Sequence, residues 1–109
     1  MFSELAMLIS PTAPKKWIRL LDRFKSLLNE KLGDQLLGLI ALRTPEDLIY
    51  GGNVLLIVRK RSLDLAKKVA ECVSEAQKTV KAEGLSPLIV EEGDELIDAF
   101  TQEGRPPPS

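Results

Sequence analysis

Residues 54–58 read Val-Leu-Leu-Ile-Val, the longest unbroken aliphatic run in a chain of 109 residues. With no polar residue to turn toward water at alternate positions, a strand of this composition is buried along its whole length. It is far shorter than the roughly 20 apolar residues needed to cross a bilayer as a helix. Gly51, Gly52 and Asn53 precede it, and Arg59, Lys60 and Arg61 follow. The rest of the chain is expected to organise around this strand. The polar residue at its entrance, Asn53, is the first place to ask about chemistry.

Upstream, Trp17, Leu20, Leu21, Phe24, Leu27, Leu28 and Leu32 recur at three- and four-residue steps. That spacing predicts an amphipathic helix, with Pro14 at its start and Gly33 at its end. Residues 35–42 predict a second strand, with Gly38 where a neighbour can approach closely. Thr44-Pro45 and the Gly51-Gly52 pair mark the intervening segment as a loop. Ser62 fits an N-cap for a long helix over 63–83, with Leu65 or Ala66, Val69, Ala70, Val73, Ala76 and Val80 facing inward and Gly84 ending it. Residues 85–93 predict a third strand, which Pro87 assigns to an edge or delays in entering the sheet. Asp94 is placed to cap a short final helix. The predicted fold is α/β (α+β) in two layers, with helices on one face of a small three-stranded mixed sheet. The third strand can pair parallel, through a crossover, or antiparallel. The expected division is an N-terminal segment at 1–14, a single domain at 15–100 and a flexible proline-rich tail at 101–109.

The formal net charge of −1 hides an asymmetry. Residues 1–61 carry ten Lys/Arg against six Asp/Glu, whereas residues 62–109 carry five against ten. A dedicated nucleic-acid-binding domain usually has a pI above about 9, so this balance points to polar partner surfaces. One cysteine, Cys72, excludes an internal disulfide, fits a reducing cytoplasm and reads as core filler. The N-terminus has no basic lead-in to an apolar stretch, and it is expected to be neither a signal nor a transit peptide. No histidine, three Gln and two Asn among many Lys and Glu lean toward a heat-adapted source.

Most catalytic signatures are missing. Without histidine there is no Ser-His-Asp triad, no Cys-His pair and no zinc cluster, and no glycine-rich phosphate loop is present. Glu91, Glu92, Asp94 and Glu95 are most simply acids around a helix start, where they favour the macrodipole. Asp34, Glu46 and Asp47 read as turn residues.

The helix, the two strands, the long helix and the stretch Glu-Gly-Leu-Ser-Pro-Leu-Ile-Val-Glu-Glu-Gly-Asp-Glu-Leu nevertheless follow a familiar plan. Over residues 15–100 the chain resembles the minimal nucleotidyltransferase domains of the polymerase-beta-like superfamily. There the first strand ends in a Gly-Ser pair, commonly followed by Arg. The second opens with Ser-Asp-x-Asp, and a third acid sits on the last strand. Setting the Gly-Ser pair on Ala41 and Leu42 places Arg43 at the motif's Arg and Gly52 at its Ser. Asn53 and Leu55 then stand where the two acids belong, and the third acid falls near Leu85 or Ser86. Nucleotidyl transfer relies on divalent cations held by closely set carboxylates. Mg²⁺ demands hard anionic oxygens, and an amide and a leucine are no substitute.

The resemblance therefore implies a scaffold without its metal site: a non-catalytic module, with no cofactor, that binds a partner protein or a second copy of itself. Minimal members of the superfamily commonly associate with a small helical protein. The N-terminal residues Phe2, Leu5, Leu8 and Ile9 and the basic face of the first helix are the candidate contact surfaces. Two alternatives stand beside this one. The first is a divergent enzyme using Mg²⁺ and ATP, with acids such as Asp47 or Asp64. The second is a nucleic-acid-associated protein whose basic patch gathers Lys15, Lys16, Arg19, Arg23, Arg59, Lys60 and Arg61. No membrane association is expected.

Overall fold

A computed structural model describes the backbone of Met7, Leu8 and residues 13–104, with side chains for residues 13–101. Phe2, Leu5, Ile9, the side chain of Leu8 and the tail 105–109 lie outside the described residues. The predicted order of elements holds. Strand β1 (Met7–Leu8) leads to α1 (Lys15–Leu32), a short 3₁₀ turn at Gly33–Gln35, β2 (Leu36–Ala41) and β3 (Val54–Val58). Helix α2 (Leu63–Val80), β4 (Pro87–Glu91) and α3 (Leu96–Gly104) follow. The sheet runs β1-β2-β3-β4, so the three expected strands gain a two-residue fourth from the N-terminal segment. Pairing is antiparallel between β2 and β3 and parallel between β3 and β4, with Val54 opposite Pro87 and Val58 opposite Glu91. The third strand is thus parallel to the second, with α2 as the crossover. β4 is an edge strand that opens on Pro87, whose missing N–H suits that position.

Helices α1 and α2 lie antiparallel on one face of the sheet. Arg23 pairs with Glu75 and Lys31 with Glu71, so numbering rises along one helix as it falls along the other. Beneath these exposed pairs, each worth about 0.2–1 kcal/mol, lies the main core. Trp17, Leu20, Phe24 and Leu28 of α1 meet Leu65, Val69, Cys72 and Ala76 of α2 over Leu39, Val54, Leu56 and Val58 of the sheet. The α2 stripe runs through 65, 69, 72 and 76. Ala70, one residue round the helix from Val69, is therefore exposed rather than inward, as is Ala66. Ser62 caps α2 as predicted, its Oγ accepting from Leu65 N at 3.1 Å. The helix stops at Val80, earlier than expected, because Lys81 takes the left-handed conformation (φ 59°) ahead of Gly84.

The layer arrangement differs from the prediction in one respect. The two long helices share a face, but α3 packs on the opposite face. Phe100, Ile97 and Leu96 join Ile40, Leu42, Leu55 and Val90 in a second cluster. A strand with aliphatic residues on both faces needs both faces covered, and this is how the back of β3 is covered. Asp94 caps α3 through Oδ1, which accepts from Leu96 N at 2.9 Å, and the helix runs to Gly104, past the expected domain end at 100.

Gly52 carries the closest packing in the sheet. A Cβ at this position would stand 2.4 Å from Leu88 Cγ and 3.2 Å from the Ser86 carbonyl oxygen. At Gly38 it would meet only Ile57 Cδ1, at 3.5 Å. Gly52→Ala is therefore expected to destabilise the fold by about 1–3 kcal/mol, and Gly38→Ala by much less. Urea unfolding of the two variants beside the parent chain measures the difference.

Candidate functional site

The end of the sheet where β2 finishes and β3 and β4 begin holds every position singled out by the resemblance. Ala41 and Leu42 close β2 fully buried, while Arg43 beyond them is exposed. Trp17 Nε1 reaches from α1 to donate to the Leu42 carbonyl at 2.9 Å, and Leu42 N donates to the Asn53 carbonyl at 2.9 Å. The start of β3 is thereby tied to both α1 and the end of β2.

Asn53 itself has no exposed surface. Its Nδ2 donates to the Pro45 carbonyl at 2.9 Å and to the Gly84 carbonyl, and its Oδ1 accepts from Ser86 N at 2.9 Å. Its backbone N–H donates to the Ser86 carbonyl at 2.9 Å. One side chain therefore clamps the loop after β2 and the loop after α2 to the entrance of β3. Ser86 Oγ adds a bond to the Gly51 carbonyl at 2.8 Å, and Gln77 Oε1 accepts from Leu85 N at 3.0 Å. A buried amide can offer two donors and an acceptor together; an ionised carboxylate offers acceptors alone. The chemistry of the position calls for asparagine.

The second position that the resemblance assigns to an acid is closed in another way. Leu55 is fully buried in the cluster sealed by Phe100 of α3. Leu85, at one candidate position for the third acid, is buried too, and Ser86 is occupied by the contacts above. The remaining candidate acids do not converge. Asp47 is exposed in the loop before β3, whereas Asp64 sits beyond the far end of β3 in the first turn of α2, paired with Lys68 at 3.3 Å. Among the described residues no group of three or more His, Cys, Asp or Glu is placed to hold a metal ion.

The candidate basic patch is divided. Lys15, Lys16 and Arg19 stand at the N-terminal end of α1. Arg59 bonds to the turn after its C-terminal end, with Nε donating to the Asp34 carbonyl at 2.8 Å. The rise of α1 puts about 26 Å between Lys15 and the end of the helix and about 20 Å between Arg19 and that end. Arg23 lies between them, and its guanidinium faces Glu75. A second set of cations, which the linear sequence does not group, lines a hollow of about 510 Å³ where Lys16, Lys78 and Lys81 stand with Glu83. Lys78 and Lys81 flank the C-terminus of α2, where positive charge offsets the helix dipole. An adjoining hollow of about 290 Å³, walled by Trp17, Leu20 and Pro45, carries Glu46 and Glu83 beside Lys16, so its charges are mixed.

Cys72 is buried in the main core. Burial pushes its thiol pKa up, with Lys31 opposing and Glu75 and Glu71 reinforcing the shift. A scan of protein-family models and searches of curated proteins and of solved structures give no match for the chain.

Asn53→Ala leaves two carbonyls and one N–H without partners and is expected to destabilise the domain by roughly 2–5 kcal/mol. Asn53→Asp puts a carboxyl against two carbonyls in a buried site, which raises its pKa above the usual value near 4. The folded state then binds the extra proton, so this variant loses stability as pH rises from about 4 toward the raised value. Urea midpoints for both variants at pH 4 and pH 7 provide the measurement. For Cys72, a disulfide reagent at pH 8 should react slowly with the folded chain and rapidly in guanidinium.

Proposed function

We propose that the chain is a non-catalytic, nucleotidyltransferase-like protein that acts as an interaction module for a partner protein. The observation that carries this reading is the state of Asn53 and Leu55. The residues standing where the resemblance would have metal-binding acids are fully engaged in holding the fold, one in a clamp of hydrogen bonds and the other beneath Phe100. Restoring an acid would break the clamp instead of opening a metal site. The division of the basic residues between the two ends of α1 removes the continuous phosphate track that nucleic-acid binding would draw on. The buried thiol suits work in a reducing cytoplasm, and among the described residues no helix is long and apolar enough to cross a membrane.

Calorimetric titration with Mg²⁺ and ATP is the direct test. No saturable heat is expected, either from the parent chain or from Asp47→Asn. A saturable signal that Asp47→Asn removes would assign the domain to the divergent enzymes and overturn the proposal. On the positive side, affinity capture from the native source should yield a protein that re-forms a complex with the purified chain at a defined stoichiometry.

A further inference from the structure

The loop between β2 and β3 contains a small hairpin with an unusual tip. Ile49 N donates to the Gly52 carbonyl at 2.8 Å, and Gly52 N returns a bond to the Ile49 carbonyl at 3.0 Å. Between them Tyr50 and Gly51 both have positive φ, 51° and 81°. This is the signature of a type I′ turn, whose first central position favours Asn, Asp or Gly. A bulky aromatic residue there is a conformational outlier. Nor does packing explain the tyrosine, because Tyr50 is 82% exposed. Leu48, two residues earlier, is 58% exposed on the same hairpin. A hydrophobic pair is thus held out in solvent, one member in a backbone conformation that disfavours it.

Beside Tyr50 lies a cavity of about 450 Å³, with Leu96 and Ala99 of α3 forming an apolar wall and Asp94 and Glu95 a charged one. The charge continues outward: Glu91, Glu92, Asp94, Glu95 and Asp98 are all exposed, and no Lys or Arg occurs between Lys81 and Arg105. The Asp94 Oδ1 is used in capping α3, while Glu95 has no comparable role in the hydrogen bonding of that turn.

We infer that this hairpin and the start of α3 form a docking site for a cationic segment of another protein. A lysine or arginine side chain of that segment enters the cavity. Its head group lies between the Tyr50 ring and the two carboxylates, and its methylene stem lies on Leu96 and Ala99. Leu48 supplies apolar contact at the rim. The chemistry of the occupant follows from charge complementarity, since an anionic partner would face the Asp94 and Glu95 carboxylates that line the cavity. A second copy is a poorer occupant. Its basic residues 59–61 border its own acidic run, with Arg61 N donating to Glu91 Oε2 at 2.9 Å, so a second copy would bring acids to this cavity along with its cations. The inference rests on the interaction-module reading and gives that module a surface and a class of partner.

The test uses the full chain, uniformly ¹⁵N-labelled, titrated with two nine-residue peptides: acetyl-Ala-Arg-Ala-Ala-Arg-Ala-Ala-Arg-Ala and its glutamate counterpart. The arginine peptide should produce saturable amide shifts confined to residues 48–52 and 94–99, and the glutamate peptide none. Tyr50→Asn suits the turn, so the variant should melt at the same temperature as the parent or higher while binding the arginine peptide at least about tenfold more weakly, a loss of 1.4 kcal/mol. Glu95→Gln should weaken binding as well and reduce its salt dependence. Shifts located elsewhere, no saturable shift up to about 1 mM peptide, or full affinity in Tyr50→Asn would each overturn the inference. So would concentration-dependent self-association that Tyr50→Asn abolishes, which would make a second copy the occupant. Arginine-peptide shifts mapped to α1 would sink this site while leaving the module reading intact. Saturable Mg²⁺-ATP binding would sink the module reading whatever the peptide does.

Discussion

The Asn53 carboxamide is the contact on which this arrangement depends. Two donors and one acceptor on a single short side chain bridge Pro45, Gly84 and Ser86, residues that lie 8, 31 and 33 positions away in sequence. Each bond is of ordinary strength, but together they set how the loops at this end of the sheet meet the entrance of β3. The main-chain bonds from Leu42 to Asn53 and from Asn53 to Ser86 then continue the ladder across β2, β3 and β4. Loss of one partner in such a buried polar network leaves the others unsatisfied, which is why the position is exacting about the group it accepts.

Much of the scaffold could be read from local patterns. The α1 stripe, the Ser62 cap, the buried β3 and the late entry of Pro87 into an edge strand all follow from residues within one element, and the structure has each of them. Long-range choices were not available in the same way. Whether α3 lies on the near or the far face of the sheet is set by what covers Leu55 and Ile40, and no periodicity inside α3 records it. The exposure of Ala66 and Ala70 has a similar origin. Alanine packs or faces water with little penalty, so the α2 stripe is decided by Leu65, Val69 and Cys72.

The candidate site divides along the same line. Asn53 stood out in the sequence as a polar residue before an aliphatic strand. Its partners at Gly84 and Ser86 come from a loop that only the fold brings near. The basic residues failed to assemble for a geometric reason, because α1 separates them by its own length. The hairpin at residues 49–52 had a visible signal in its glycine pair. What the glycines did not disclose is that tyrosine occupies one of the two left-handed positions.

The back of the sheet is covered by a helix of nine residues, too short to persist in water without its tertiary contacts. Its hold depends chiefly on Phe100 and its neighbours, whereas the front face is roofed by two helices of eighteen residues each. The two sides of one strand therefore have unequal lids. Opening of the smaller lid, a sub-global excursion costing less than complete unfolding, would bare Leu55 and Val90 while the front core stayed closed. In such a molecule amide exchange in α3 is expected to outpace exchange in α1, because the shielding of β3 comes from two roofs of unequal size.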